Sequence, residues 1–386
     1  MTMPLDLLNR LRRRALIVGA IAAVVCGLSL LQGADRVLHS YLFAFCNWTG
    51  IALGCMAILL LQYLASGRWG VLLQRIFEAG ALTLPLMLLL FFPIAFLSNR
   101  IYPWVNWSNS PEQALRQKAQ YLNSTAFILR SAFYFGIWIG IALCLRRWSL
   151  AADSGANQAS EKMYKLSGPG LLIYVLTATF AAIDWTMSLE PEWTSTIYGL
   201  LVIVGQGLSA MALAVLLVGW LARVPPFEEI LTARDFNDFG NLLMVFVLLA
   251  AYASLSQFLI IWSGNLPEEA VWYIRRSRGG WQWVVAILAA GQFLIPFLAL
   301  LSRRIKGAPH SLMPVAILLI VVHVIEWYWL VMPAFERSAI PNVSDVAAPI
   351  ALGGFWLAAM VYFLKQAPLL SVRLELAPPE MVENSA

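Results

Sequence analysis

Residues 196–222 read TIYGLLVIVGQGLSAMALAVLLVGWLA and contain no Asp, Glu, Lys or Arg. An α-helix rises about 1.5 Å per residue, so this stretch is long enough to cross a bilayer core of roughly 30 Å. Because lipid offers the backbone no hydrogen-bond partners, a segment that crosses it must be helical. The stretch therefore predicts a transmembrane helix.

Nine further apolar stretches of similar length lie on either side of it. The chain of 386 residues is 60% hydrophobic and 12% charged, whereas a soluble protein carries about 25% charged residues. We therefore predict an all-α integral membrane protein with ten transmembrane helices. The ten predicted spans are 14–32, 39–65, 76–98, 124–146, 167–187, 196–222, 240–262, 281–301, 312–332 and 347–365.

The number of spans also predicts how they are arranged. Spans 2–5 and 6–9 would form two four-helix bundles, flanked by spans 1 and 10. No loop is long enough for a soluble domain, so we assign residues 1–370 to one polytopic membrane domain and 371–386 to a polar cytoplasmic tail. The loop 99–123 mixes Trp and Pro, which is typical of a segment at the membrane interface.

Lys and Arg are distributed unevenly between the two sides. With a cytoplasmic N-terminus, 17 of the 26 Lys and Arg residues fall on the inner side, 8 on the outer side, and one, Arg130, inside a span. Cytoplasmic loops of membrane proteins carry such an excess, so we predict that both termini are cytoplasmic. The net charge of +5 reflects this topology, and no basic groove with interleaved aromatics indicates nucleic-acid binding.

Tryptophan is concentrated towards the outer side. An aromatic belt at the membrane surface explains part of this excess. Trp is also enriched at protein interfaces, so an outer surface covered by another protein is an equally open interpretation. The residues concerned are Trp104, Trp107, Trp185, Trp193, Trp262, Trp272, Trp281, Trp283, Trp327 and Trp329.

Five ionisable residues lie inside predicted spans, where charge is costly and commonly functional. Arg130, Asp184, His323 and Glu326 lie at similar depth near the outer side, and Glu78 lies near the inner end of span 3. His323 and Glu326 are three residues apart and therefore share one helix face. The sequence predicts that the four outer residues form one polar group.

Two interpretations of these residues stay open. With Tyr252, Ser256 and Gln257 of span 7 they would line a proton path or hold a quinone head group, because quinol oxidation needs an acceptor for the hydroxyl protons. Alternatively they form a structural network, in which Arg130 pairs with Asp184 or Glu326 to offset burial.

The inner side offers one further acidic candidate. Asp238 lies where span 7 begins, and we predict that it caps this helix. A proton entry point at Asp238 is the second interpretation.

Two small-residue motifs predict close helix packing. They are Gly50-x-x-x-Gly54 and Gly136-x-x-x-Gly140. We predict that both pack within the chain, with subunit contact as the alternative.

The sequence lacks the ligands of the common redox cofactors. Of its three histidines, His39, His310 and His323, only the last lies at membrane depth, whereas a b-type haem between helices usually needs two axial ligands. No C-x-x-C-H motif or cysteine cluster is present for haem c or an iron–sulfur cluster. If the protein takes part in electron transfer, we expect the redox centres in partner proteins.

Two long motifs carry a resemblance to a known family. Residues 184–199, DWTMSLEPEWTSTIYG, resemble a signature of the ActF subunits of bacterial alternative complex III. Residues 256–272, SQFLIIWSGNLPEEAVW, resemble a second signature of the same subunits, and Asp238-Phe239-Gly240 also fits. The resemblance spans roughly residues 10–370. The sequence departs from the pattern at Glu192, where His is expected, and at Ser263, where an aromatic residue is expected.

The resemblance implies a function and a set of partners. ActF subunits belong to the NrfD/PsrC-like integral membrane family and work in a complex that oxidises quinol and reduces cytochrome c or an oxidase. It implies a sister NrfD-like membrane subunit, periplasmic iron–sulfur and multihaem cytochrome c subunits, and a terminal oxidase as a further partner. This chain is expected to bind no redox cofactor itself, with a quinol site left open, and to provide a proton path in the bacterial inner membrane.

Individual roles follow as hypotheses. Asp184, His323 and Glu326 would exchange protons at the outer side, Arg130 would keep the carboxylates ionised, and Glu78 and Asp238 would serve an inner path. Two alternatives remain, namely a secondary transporter and a scaffold subunit that handles no protons.

Overall fold

The computed structural model describes residues 3–31, 33–65, 67–105 and 118–370. This part of the chain is 84% helical and contains no strand. The predicted cytoplasmic tail 371–386 and residues 106–117 of the predicted interfacial loop lie outside the described residues. The α-helices, numbered here in chain order, are α1 (Met3–Ser29), α2 (Ala34–Ala65), α3 (Arg68–Ala81), α4 (Leu84–Phe96), α5 (Ser98–Ile101), α6 (Ser124–Asp153), α7 (Asn157–Trp185), α8 (Tyr198–Leu221), α9 (Phe227–Ile230), α10 (Ala233–Gly264), α11 (Pro267–Arg275), α12 (Trp281–Leu288), α13 (Ile295–Leu301), α14 (Arg303–Lys306), α15 (Pro309–Val331) and α16 (Val343–Leu364).

Within the described residues, nine helical segments are long and apolar enough to cross a membrane. Two of them combine two α-helices each: α3 with α4, and α12 with α13 across a π-helical turn at Ala289–Leu294. The nine segments are Ala34–Ala65, Arg68–Phe96, Ser124–Asp153, Gln158–Leu189, Tyr198–Leu221, Ala233–Gly264, Trp281–Leu301, Pro309–Ala334 and Val343–Leu364. The chain is thus an all-α multi-pass membrane protein.

The first predicted span, 14–32, is not among the nine. Its helix α1 runs through Arg12, Arg13 and Arg14 and ends at Ser29, so its uncharged part is short. The helix packs along α16, where Gly19 meets Gly354 so closely that a Cβ on Gly19 would lie 3.1 Å from the Gly354 Cα.

Several helices extend beyond their apolar cores into the predicted inner loops. α6 continues to Asp153 and α7 begins at Asn157, so the segment 147–166 between the fourth and fifth predicted spans is mostly helical.

The prediction that Asp238 caps the helix of span 7 is wrong, because this helix, α10, begins at Ala233. Thr232 is the cap, and it forms a reciprocal capping box with Asp235. Hydropathy locates the membrane-buried part of a helix, whereas the cap locates its first residue.

Helices α2 and α8 form the centre of the fold. In each helix, 83% of the residues in the most apolar 18-residue stretch are buried. The two helices pack against each other and against α15. Their close approach depends on Gly54, since a Cβ there would lie 2.0 Å from the Gln206 carbonyl oxygen. The first small-residue motif therefore packs within the chain, as predicted. The second does not, because a Cβ on Gly136 or Gly140 would meet nothing within 4 Å.

The two glycine motifs allow a matched test of this packing. Gly54→Ala places a methyl group against the α8 backbone and should destabilise the protein by about 1–3 kcal/mol, the usual range for overpacking. Gly136→Ala adds the same methyl group in open space and should leave stability unchanged or raise it slightly. Unfolding in mixed dodecyl maltoside and SDS micelles measures both. Equal stability of the two variants would contradict the close α2–α8 contact.

Candidate functional site

The four outer residues of the predicted polar group lie at one end of the bundle. We call this the Trp-rich end, since Trp104, Trp193, Trp272 and Trp281 are buried there. Helices α7, α10 and α15 end at it, and α8, α12 and α16 begin at it. Consecutive membrane helices run in opposite directions, so the start of α6 lies at the same end as the ends of α7 and α15. The residues placed there are Arg130, Asp184, His323 and Glu326.

Arg130 and Asp184 form a closed ion pair between α6 and α7. The Arg130 Nε and Nη2 atoms donate to the two Asp184 carboxylate oxygens at 2.8 and 2.9 Å, and Tyr134 donates its hydroxyl at 2.9 Å. The third guanidinium nitrogen, Nη1, donates to the Tyr121 carbonyl, and the guanidinium lies over the Tyr121 ring. The Asp184 side chain is 0% exposed and that of Arg130 is 21% exposed. Three donors satisfy this carboxylate within the protein, which favours a structural role.

His323 and Glu326 form a second, differently built group on α15. The His323 Nδ1 lies 2.9 Å from Glu326 Oε2, as their spacing predicts, and Trp327 donates its indole N–H to His323 Nε2 at 3.1 Å. Because Nε2 accepts, the proton of a neutral imidazole lies on Nδ1 and is donated to the carboxylate. The bonding of this ring thus selects one tautomer, with its proton directed at Glu326.

A glutamine from another helix completes the Glu326 group. Gln292 donates its amide to Glu326 Oε2 at 3.0 Å. It belongs to the π-helical turn Ala289–Leu294, which interrupts an otherwise regular membrane helix. Such turns are frequent at functional sites because they redirect side chains. In contrast to Asp184, Glu326 has no guanidinium partner among the described residues, and its side chain is 16% exposed.

Glu326 borders a cavity of about 800 Å³. The cavity is lined by residues of α8, α10, α11, the α12–α13 segment and α15. Of the predicted site residues, His323, Glu326, Tyr252 and Gln257 line it, whereas Ser256 lies outside the lining.

The prediction of one outer polar group is therefore wrong, because the four residues form two groups. Of the two partners considered for Arg130, the structure selects Asp184. The region between the groups contains a small cavity of about 20 Å³, lined by Ala182, Trp185, Gln206 and Trp327 among others. That volume has room for about one water molecule. The sequence indicates how deep in the membrane a side chain lies. It does not give the rotation of the helix about its own axis, and this rotation decides which residue the side chain contacts.

The inner candidates lie at the opposite end. Glu78 is buried and accepts from Arg75 and Arg146 at 2.7 Å each, and from Gln74 at 2.8 Å. Ser149 also donates to it, and Arg75 pairs in turn with Asp153. This is a closed ion-pair network. Asp238 lies half-buried in the second turn of α10.

Sequence reasoning missed a buried ion pair beside the cavity. Arg276, from the loop after α11, pairs with Glu190 at 2.9 Å, and Arg275 pairs with the same carboxylate at 2.6 Å. The Arg276 guanidinium lies over the Trp272 ring, and its Nη2 donates to the Leu330 carbonyl at 2.9 Å. Burial lowers the pKa of Arg276, and the Glu190 carboxylate opposes that shift. Glu190 lies within residues 184–199, the first signature motif, so this motif was the feature of the sequence that could have indicated a role for Glu190.

The pair is covered by stacked tryptophans. Trp193 stacks on Trp272 at a centroid distance of 4.7 Å, and Trp272 meets Trp329 edge-on at 5.0 Å. Most of the Trp excess at this end is therefore explained by packing within the chain. Among the described residues, the exposed Trp262 and Trp283 remain to support the partner-covered surface, and Trp107 lies outside the described residues.

No family model matches the chain, and no curated protein matches it.

The two glutamates of the first motif provide a test of the buried pair. Glu190→Gln removes the charge that offsets buried Arg276 and should lower the free energy of unfolding by about 3 kcal/mol. Glu192→Gln, two residues away and exposed, should have no measurable effect. Unfolding in mixed micelles distinguishes them. A loss of stability in Glu192→Gln as large as in Glu190→Gln would contradict the assignment.

Proposed function

We propose that this chain is a membrane subunit, without a redox cofactor of its own, of a quinol-oxidising respiratory complex in the bacterial inner membrane. It would provide a proton path and anchor its partners, passing electrons through them to cytochrome c or an oxidase. The observation that carries this proposal is the Glu326 carboxylate at the cavity wall, hydrogen-bonded to His323 and Gln292. The two signature motifs supply the family context.

The Glu326 group is suited to proton exchange. A carboxylate beside an imidazole gives two adjacent sites for one proton, and the carboxylate borders open space. Asp184 has the opposite environment, since Arg130 neutralises it and three donors fix it. We therefore assign proton exchange to Glu326 and His323, and the positioning of α6 against α7 to the Arg130–Asp184 pair.

Buried polar side chains on the central helices support a path towards the other end. Tyr174 donates to Gln206 at 2.6 Å in the core of the bundle. Asn47, Thr49 and Gln62 of α2 are buried and have polar atoms without a partner among the described residues. Buried atoms of this kind are commonly satisfied by water. A water-linked path along α2 would lead towards the Glu78 network, with Asp238 as a second inner entrance.

The proposed topology has ten membrane crossings with both termini in the cytoplasm. Helix α1 supports the tenth crossing, because Ile17, Val24 and Leu28 expose a continuous apolar face. Eight of the other nine segments would group as two four-helix bundles joined by α2 and α8, with α1 and α16 at the flank.

The proposed partners are those that the resemblance implies. They are a sister NrfD-like membrane subunit, periplasmic iron–sulfur and multihaem cytochrome c subunits, and a terminal oxidase.

Gentle affinity purification from the native membrane tests the assignment to a complex. We expect the tagged chain to bring haem-bearing partners, seen as c-type absorption bands and as additional subunits on a gel. Recovery of the chain alone, with no absorption in the visible range, would favour a secondary transporter.

Neutral variants of the acidic residues test the proton path in the assembled complex. Glu326→Gln should lower proton-coupled quinol oxidation at least about tenfold, because a positioned acid–base group contributes that much or more. Glu268→Gln, exposed in the first turn of α11 at the same end, should leave it unchanged. Asp184→Asn should mainly reduce the amount of assembled complex. Wild-type proton release in Glu326→Gln would favour the scaffold function.

A further inference from the structure

We infer that the 800 Å³ cavity binds a neutral, membrane-soluble molecule whose hydroxyl-bearing head donates a hydrogen bond to Glu326. A hydroquinone and a lipid alcohol share this chemistry. The inference rests on the proposed function and extends it, since it assigns the ligand site to this chain and to named residues.

The cavity has the size and composition of a site for such a molecule. Ligand pockets commonly enclose about 300–1,000 Å³ and combine apolar walls with a few polar groups. Here the apolar walls come from four membrane segments, α8, α10, the α12–α13 segment and α15, and they include Leu255, Phe258, Val285, Leu288, Phe293 and Leu330.

One lining residue lacks a hydrogen-bond partner. Gln257 is 1% exposed, and neither its amide nitrogen nor its amide oxygen has a partner among the described residues. A buried amide without partners destabilises a protein, so its presence beside a cavity calls for a group that satisfies it. A hydroxyl or carbonyl oxygen on a ligand would accept from the amide nitrogen.

Glu326 offers the second contact. Its Oε2 accepts from Gln292 and lies beside His323 Nδ1, while its Oε1 receives no hydrogen bond from the described residues. A ligand hydroxyl that donates to Oε1 would give this second carboxylate oxygen a hydrogen-bond partner.

The charges in the lining favour an uncharged ligand. The Glu326 carboxylate disfavours an anionic head group such as a phosphate. Arg276 also lines the cavity and disfavours a cation, and its own charge is already paired with Glu190. The molecule that fits both is neutral.

The cavity is placed for entry from the bilayer. Its walls include α10 and the α12–α13 segment, the two least buried of the nine membrane segments. Only 28% and 22% of the residues in their most apolar 18-residue stretches are buried. Tyr252, Leu255 and Phe258 of α10 line the cavity and are also exposed on the side of the bundle. A ligand with an apolar tail would leave the tail between these side chains.

Photolabelling of the full chain in phosphatidylcholine nanodiscs tests the inference without any partner subunit. The probe is a decyl-tailed hydroquinone with a diazirine in the tail, kept reduced with dithionite. We expect labelled peptides from the cavity walls at 248–258 and 285–293. The unlabelled decyl hydroquinone should displace the probe, and its dimethyl ether, which has no hydroxyl donor, should be at least tenfold weaker.

Two variants and a control give the decisive comparison. Gln257→Leu should weaken labelling at least tenfold while raising thermal stability, since it removes the unpaired amide. Glu326→Gln should weaken labelling to a similar extent, and Glu161→Gln, exposed on the far half of α7, should not change it. A purely structural role for Gln257 would lower stability and leave labelling intact, which would overturn the inference.

The competitors distinguish the source of the ligand. Displacement by the hydroquinone alone supports a quinol site, and equal displacement by monoolein supports a lipid alcohol at the same contacts. Equal displacement by the dimethyl ether, or labelling outside the cavity walls, would overturn the inference. If the chain purifies without haem-bearing partners but labels as expected, the proposed function fails and the ligand site stands.

Discussion

The bilayer provides no water to solvate a buried charge, and this constraint determines where the charged residues of the protein lie. Each of three buried carboxylates has a guanidinium partner from another part of the chain. Asp184 of α7 pairs with Arg130 of α6, Glu78 of α3 pairs with Arg146, and Glu190 pairs with Arg276. Removing one partner of such a pair strands the other, so each pair fixes how its two segments are placed. The helix arrangement at both ends of the bundle depends on these contacts.

Glu326 stands apart from these three carboxylates. Its hydrogen-bond partners in the described structure, His323 and Gln292, are an imidazole and an amide, and the residue lines a cavity. A carboxylate at membrane depth without a guanidinium partner lowers the stability of the fold. Glu326 is therefore the buried carboxylate that most needs a functional explanation. The π-helical turn that carries Gln292 indicates the same, because it disrupts regular helix bonding to place one donor.

Sequence predicted the helical class and nine of its ten membrane segments correctly, because uncharged runs report directly on burial in lipid. It also predicted the His323–Glu326 contact, which depends only on spacing within one helix. It did not predict which helix would provide Gln292, that Arg276 would pair with Glu190, or that Asp184 and Glu326 would belong to separate groups. Contacts between helices depend on helix rotation and on local irregularities, and neither leaves a regular period in the sequence.

The distribution of packing across the fold connects these observations. Gly54 lets α2 and α8 approach closely, so the centre of the bundle is dense, whereas α10 and the α12–α13 segment are mostly exposed and line the large cavity. Stability can therefore come from the α2–α8 core and the charged pairs, while the cavity walls tolerate an unpaired amide at Gln257. An interior packed to uniform density would leave no space for a ligand beside Glu326. The loose half of the bundle is where binding costs the fold least, because few core contacts have to rearrange there.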